Sequence, residues 1–500
     1  MDSLNGMNTN QPTTFSPITA AYRLPEAVYP STPPYHPSEG YPEYQWGVLG
    51  EQNLVYEGVR QLFYNLGLDE EHFGSPGWNP LGQIIQPGDR VVLKPNLLTE
   101  SHKFRLGEWE QVITHGSVIR AVLDYVLIAL NGSGEVSIID GPTLEADWDA
   151  IIDHLGLNEI VNFSQSVSRV PIRLVDLRDV QWEFHDDVIF DRIPRPGDPE
   201  GGVVVNVDRH SRLVGYKGEG RYYGADYDQV ETNGHHQHDQ QEYRISGTAC
   251  WADVIINLPK MKTHKKVGVT LCLKNLVGIN VGRNWLPHHS DGDPTTGGDQ
   301  FPASSAKNNA ERWGVRSLQR LSLRAPGLFS PVYRQMKKMA TPVWGTTETT
   351  IRSGNWYGND TAWRMVHDIN RALLYTQGIH FPSSSPKRYL AIVDGVIAGD
   401  GNGPTAPDRY EAGCLVAGFN PVAVDCVAAR LMGFDPLKIA MLREAYSPSA
   451  LPLAPFSYQD ITIVGNRPEW QGFLAEIDPD SCFHFNPHFG WVGQIEWDRR

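Results

Sequence analysis

The stretch Ala252–Asn280, reading ADVIINLPKMKTHKKVGVTLCLKNLVGIN, constrains the fold more than any other part of the chain. Val254, Ile255, Ile256 and Leu258 form an apolar run of buried-strand length, and Pro259 then stops simple continuation of a hydrogen-bonded ladder. Cations follow. If Lys260 to Lys274 stays extended, Lys260, Lys262, His264, Lys266 and Lys274 share one face, with Val267, Val269, Leu271 and Leu273 on the other. A helix starting near Thr263 breaks that face but still pairs Lys262 with Lys266 one turn apart. In both cases like charges repel unless an anion or carboxylates sit among them. The functional expectation is a site for a phosphate, a carboxylate or an acidic side chain; the alternative is a solvated basic turn.

Other segments repeat the pattern of an apolar strand ending in polar groups. Val91–Leu93 ends in Lys94-Pro95-Asn96, Val136–Ile139 in Asp140-Gly141, and Tyr389–Val393 in Asp394-Gly395. Thr114-His115-Gly116 leads into an amphipathic helix, Val118–Leu130, so the early chain reads β-α-β, which favours parallel strands and right-handed crossovers. The fold class expected is α/β: an open, mostly parallel, Rossmann-like sheet with helices on both faces and long polar loop insertions. In such a sheet the ligand crevice lies beyond the carboxyl ends of the strands, where these tips would converge.

Composition narrows the partners. Of 500 residues, 40% are hydrophobic and 20% charged, and the formal net charge is -15, which disfavours nucleic acid and anionic membranes as partners. The longest apolar run, Ser117–Leu130, carries Arg120 and Asp124 and is too short to span a bilayer. The polar N-terminus shows no signal-peptide pattern. Cys250, Cys272, Cys414, Cys426 and Cys482 never fall in a CxxC arrangement, so reduced thiols, a cytoplasmic location and no iron–sulfur cluster are expected. The organisation expected is a Pro-rich, disordered lead-in over 1–45 and a first α/β part over 46–300, with a loop excursion at 209–246 and a lid loop at 283–309. A helical insertion over 301–380, a return to the sheet over 381–467 and a tail over 468–500 follow.

Within the crevice, Lys94, Lys260, Lys262 and Lys274, with Asn96, Asn275 and Asn402, are the expected anion-binding groups. His264, His115, Asp140 and Lys262 are the candidates for proton transfer, since an unperturbed imidazole titrates near neutrality. Asp394 and Asp400 are candidate ligands for a hard divalent cation such as magnesium, with His288 and His289 as further metal candidates. His235, His236 and His238 resemble a metal site, although solvated histidines in a polar loop are the plainer reading. The Gly399–Gly403 loop is not a Walker loop, and no GxSxG or HExxH pattern occurs.

The set KPN (Lys94–Asn96), Thr114-His115, Ala252–Gly278, DGVIAGDGNGP (Asp394–Pro404) and AGFNPVAVDCVAARLMGFDP (Ala417–Pro436) resembles the family called domain of unknown function 362. Many relatives in that family carry a ferredoxin-like four-cysteine module, whose cysteines this chain lacks. A second likeness, in topology and spacing, is to the N-terminal domain of lactate racemase. That likeness implies that Lys94 lies in a carboxylate-binding loop and His264 at a proton-transfer position. The function expected is therefore an enzyme of unassigned reaction acting on a small anionic molecule, with a metal-binding or redox module and a non-catalytic assembly protein as alternatives. The sequence assigns neither cofactor nor oligomeric state.

Overall fold

Apolar runs scattered over 450 residues of sequence meet in one 12-stranded sheet in the computed structural model, which describes residues 15–185, 188–226, 228–305, 335 and 349–497. In chain order its strands are β1 (Ile18–Arg23), β2 (Arg90–Pro95), β3 (Glu135–Asp140), β4 (Ile172–Asp176), β5 (Val254–Leu258) and β6 (Lys260–His264). They continue with β7 (Gly268–Thr270), β8 (Arg388–Asp400), β9 (Asp408–Tyr410), β10 (Cys414–Gly418), β11 (Thr462–Gly465) and β12 (Gly472–Phe473). Six of the eleven pairings are parallel.

The centre, ordered β4-β3-β2-β5-β8, is wholly parallel. From β2 the chain moves outward through β3 to β4, and then returns to place β5 and β8 on the other side of β2. Strand order reverses between β2 and β5, which is where open α/β sheets form ligand crevices. Both faces are covered. Along β5, Val254, Ile256 and Leu258 enter one apolar cluster and Ile255 the other. The first cluster is built with α1 (Leu54–Asn65) and α2 (Gly116–Leu130). The second takes α3 (Cys272–Asn275), α4 (Ala362–Leu374) and α5 (Pro421–Leu431). Helix ends follow their cap residues: Asn131 closes α2 in the left-handed region at φ 46°, and the Asn420 side chain accepts from the Val422 and Ala423 N–H groups to open α5.

Pro259 divides one extended run into two strands. β5 pairs with β2 and the start of β8, and after the break β6 pairs with the far half of β8, Lys260 opposite Asp394 and Lys262 opposite Gly399, and on its other side with β7. The cationic segment is thereby carried past the end of β2. It is extended only to His264; the chain turns at Lys265 and Lys266, returns as β7, and Lys274 lies on α3.

The lead-in differs from expectation. Residues 1–14 fall outside the described part, but β1 is inserted between β10 and β11, and Tyr29, Tyr35, Tyr41 and Tyr44 are buried. The prolines of this segment stand outside the strand itself, so a high proline count did not preclude pairing. The loop excursion holds a short strand, Gln240–Ser246, paired with Gly202–Asn206. Residues 306–334 and 336–348 of the helical insertion expected over 301–380 lie outside the described residues. All five cysteines are unpaired and buried. No helix among the described residues is long and apolar enough to cross a membrane.

β1 leaves no room for a side chain on its neighbour: a Cβ at Gly465 would lie 1.9 Å from the Ala21 carbonyl oxygen. Gly465→Ala is expected to lower stability by about 1–3 kcal/mol, read as a fall in the urea midpoint at constant slope. A variant as stable as the parent would mean that β1 does not dock there.

Candidate functional site

Two buried ion pairs mark the rim. Lys94, at the end of β2, places Nζ 2.8 Å from Asp140 Oδ1 at the end of β3. Asp140 is further held by the Leu97 and Gly141 N–H groups, both at 2.7 Å. Lys260 Nζ lies 2.9 Å from Asp394 Oδ2 and donates to the Tyr29 hydroxyl at 2.7 Å. Tyr29 donates in turn to Asp394 Oδ1 at 2.6 Å, and the His115 N–H reaches Asp394 Oδ2 at 2.9 Å. Burial pushes both lysines below the ordinary lysine range while their carboxylates pull the other way. These four groups are structural pairs, each answering the other's charge.

Asn275 joins the two sides of the switch point. Its Nδ2 donates to the Lys94 carbonyl at 3.0 Å and Asn257 Oδ1 at 2.7 Å, and its Oδ1 accepts from Asn96 Nδ2 at 2.9 Å and Lys94 Nζ at 3.3 Å. Lys262 Nζ donates to Asn96 Oδ1 at 3.2 Å, to Pro404 O at 3.2 Å and to Val112 O. It therefore sews three loops together, and burial with neighbouring amines drives its pKa well down. Asp425, on α5, receives the Cys272 and Leu273 N–H groups at 2.6 and 2.9 Å and so fixes the start of α3, which carries Lys274 and Asn275.

Lys266, Lys274 and Arg283 form no ion pair with any described residue. Lys274 is partly exposed and makes no hydrogen bond or ion pair with any described residue. Burial, then Lys94 and Arg283, lower its pKa to about 8, opposed only by Asp140. Burial and the nearby Lys265 bring Lys266 to about 7, and its Nζ donates to Ser353 O at 2.7 Å and lies 3.2 Å from His289 Nδ1. Arg283 donates to Pro142 O at 2.8 Å and sits against Gly141, where a Cβ would come within 2.4 Å of its guanidinium. His264, 5% exposed, accepts the Lys266 N–H at Nδ1 at 3.1 Å. Burial and the surrounding Lys274, Lys265 and Lys262 hold its pKa well below the usual imidazole value. A neutral His264 with Nδ1 so occupied carries its proton on Nε2.

The structure therefore brings Lys94, Asn96, Asp140, Lys260, Lys262, His264, Lys274, Asn275 and Asp394 to one rim, while assigning most of them to each other. His115 caps α2, accepting the Ser117 N–H, and is stacked on Tyr29 at 3.9 Å, so its expected proton-transfer role gives way to a structural one. Asn402 is exposed, and the glycine loop around it packs on β6 through Gly403 N–H to Thr263 Oγ1. The metal candidates do not come together. Asp394 is saturated by donors; Asp400, six residues along the same strand and about 20 Å away, binds the Asn486 side chain at 2.8 Å. His288 Nδ1 contacts its own turn at Leu286 O, and His289 stacks on Tyr223. His235, His236 and His238 pair separately with Glu242, Gln241 and Glu219. Among the described residues no three His, Cys, Asp or Glu side chains are arranged to hold a metal ion. Tyr29, Thr270 and Arg283 are not singled out by the sequence, in which no motif marks them. A cavity of about 480 Å³ lies elsewhere, at Trp148, Arg173, Asp176 and Arg195. It gathers none of these groups, and the site rests on the convergence of charge instead.

Residues 202–430 match the family described as Domain of unknown function (DUF362). That span supplies β5 to β10 and α3 to α5, whereas Lys94, Asn96 and Asp140 come from the chain before it. A thylakoid-associated protein of Synechocystis sp. is 22% identical over 391 residues, covering 77% of this chain and 78% of that protein. A Thermotoga maritima protein of known crystal structure aligns at 12% identity with a TM-score of 0.31, over 78% of this chain and 59% of that one.

Removing one member of a buried pair leaves the other charge unanswered. Lys260→Met is expected to cost about 3–5 kcal/mol, with much of the loss recovered in Lys260→Met/Asp394→Leu; equal losses in the single and double variants would refute the pairing. Lys266 and Lys274, lowered to about 7 and 8 from 10.5, hold fewer protons folded than unfolded over that interval. Stability of the parent relative to Lys266→Met/Lys274→Met therefore rises between about pH 7 and 10.5, measured as the difference in Tm across that range. A flat difference would contradict the shifts.

Proposed function

Starting from the match of residues 202–430 to domain of unknown function 362, we propose that this chain is an enzyme that binds a small anionic metabolite beyond the carboxyl ends of β2, β3 and β5 and acts on it by proton transfer. One observation carries the reading. Around Lys274 the amines and guanidinium outnumber the carboxylates, and the only carboxylate among the described residues acting on Lys274, Asp140, is already ion-paired with Lys94. Partly buried like charges without a counter-ion raise the energy of the ligand-free fold, and an entering anion relieves them. His264 would offer its Nε2 proton to a substrate oxygen, as a neutral imidazole can. Lys266 and Lys274 titrate near neutrality, the range in which a group both gives and takes protons effectively.

Thermal unfolding of the full chain across carboxylates and phosphates at constant ionic strength tests binding. At least one class is expected to raise Tm, and Lys274→Met is expected to abolish that shift while raising Tm of the ligand-free protein. No ligand-dependent shift in either class would overturn the proposal. For the chemistry, exchange in D2O of a carbon-bound proton of whichever anion raises Tm is expected with the parent and lost in His264→Gln; binding without exchange in the parent would leave a binding protein.

A further inference from the structure

Three donors around the same rim have no acceptor. Arg283 Nε is buried without a hydrogen-bond partner, its guanidinium anchored by Nη2 to Pro142 O. Thr270 is 3% exposed, and its hydroxyl too is buried and unpartnered. Thr270 stands directly opposite Lys262 in the antiparallel β6/β7 pair, so its side chain leaves the sheet on the face that carries Lys262 and His264. Lys274, four residues further on, is the third. A buried donor left unpaired costs free energy comparable to a lost hydrogen bond, and native folds keep few of them. Three at one rim, two of them cationic, describe a ligand by what it must supply: at least three acceptor oxygens and about two negative charges.

We propose that the anion is a phosphoryl dianion, as inorganic phosphate or a phosphate monoester, held by Lys274, Arg283 and the Thr270 hydroxyl. This deepens the anion-binding reading and rests on it. A single carboxylate offers two oxygens and one charge, and leaves one cation and one donor unanswered. A phosphoryl group offers three terminal oxygens and a charge near two, with a planar guanidinium to take two of its oxygens and a compact ammonium the third. The strand-end lysines Lys94, Lys260 and Lys262 are engaged by protein acceptors and act as the frame. Gly141 and Gly278 make the approach possible: a Cβ on the first would meet Arg283, and on the second would lie 2.2 Å from Asp140 Oδ1 and 3.1 Å from Lys94 Nζ.

Calorimetric titration of the full chain with inorganic phosphate, phenyl phosphate and acetate at matched ionic strength tests this. Saturable binding of one or both phosphates, with acetate far weaker, is the expected result; the tighter of the two identifies a free phosphate or an ester as the natural form. Thr270→Val, which removes only an unpaired hydroxyl, is expected to weaken phosphate at least tenfold with the Tm of the ligand-free protein equal to or above the parent's. Arg283→Lys, which keeps the charge but loses the fork, should weaken it similarly. Acetate binding with inert phosphates would overturn the dianion and leave the broader anion site standing. Phosphate binding indifferent to both variants would place the ligand elsewhere and overturn the proposal, and silence from all three probes would remove both readings together.

Discussion

Burial of charge at the ends of the parallel strands is the constraint that the rest of the structure obeys. An ammonium group taken out of water must meet a carboxylate or several carbonyl oxygens, and the residues able to supply them lie far apart in sequence: Lys94 with Asp140, Lys260 with Asp394 and Tyr29, Lys262 with Asn96, Val112 and Pro404. These pairings need strand order, Pro259 and the start of α3 to be where they are. Asn275 is the joint, since all four of its side-chain hydrogen-bonding positions are spent across the gap between β2 and β5. Such a network is worth little as gross stabilisation, but its partial loss is costly, and that asymmetry holds the rim in one arrangement.

Against that framework the cations around Lys274 stand apart. Lys94 and Arg283 both act on Lys274 electrostatically, yet Lys274 is ion-paired with no carboxylate among the described residues. Lys274 stands beside Asn275 of the frame on α3, and the frame keeps the unanswered set from relaxing apart.

Much of this was legible in the sequence because the parallel core is written in short apolar runs, each closed by a polar residue. Val91–Leu93, Val136–Ile139, Val254–Leu258 and Tyr389–Val393 are strands, and their tips converge. What escaped was whatever depends on partners distant in sequence. The run Thr19-Ala20-Ala21-Tyr22 has no apolar period, and only the strands on either side make it a strand. The expected face of four lysines and a histidine is broken by a turn after His264, which alternation alone does not reveal. Nor does residue type distinguish a lysine that is answered from one that is not: Lys262 and Lys274 read alike as letters, and only the position of Asn96, Val112 and Pro404 separates them. Arg283 and Thr270 carried no motif at all, because their interest lies in lacking a partner.

β1 has a further consequence, for the order of assembly. The first strand of the sheet pairs only with Cys414–Gly418 and Thr462–Gly465, segments about 400 residues downstream. At a synthesis rate of about 5–20 residues per second, the start of the chain leaves the ribosome tens of seconds before its neighbours exist. The sheet therefore closes from its far end backward, and the opening segment must stay free of wrong pairings until the last strands arrive.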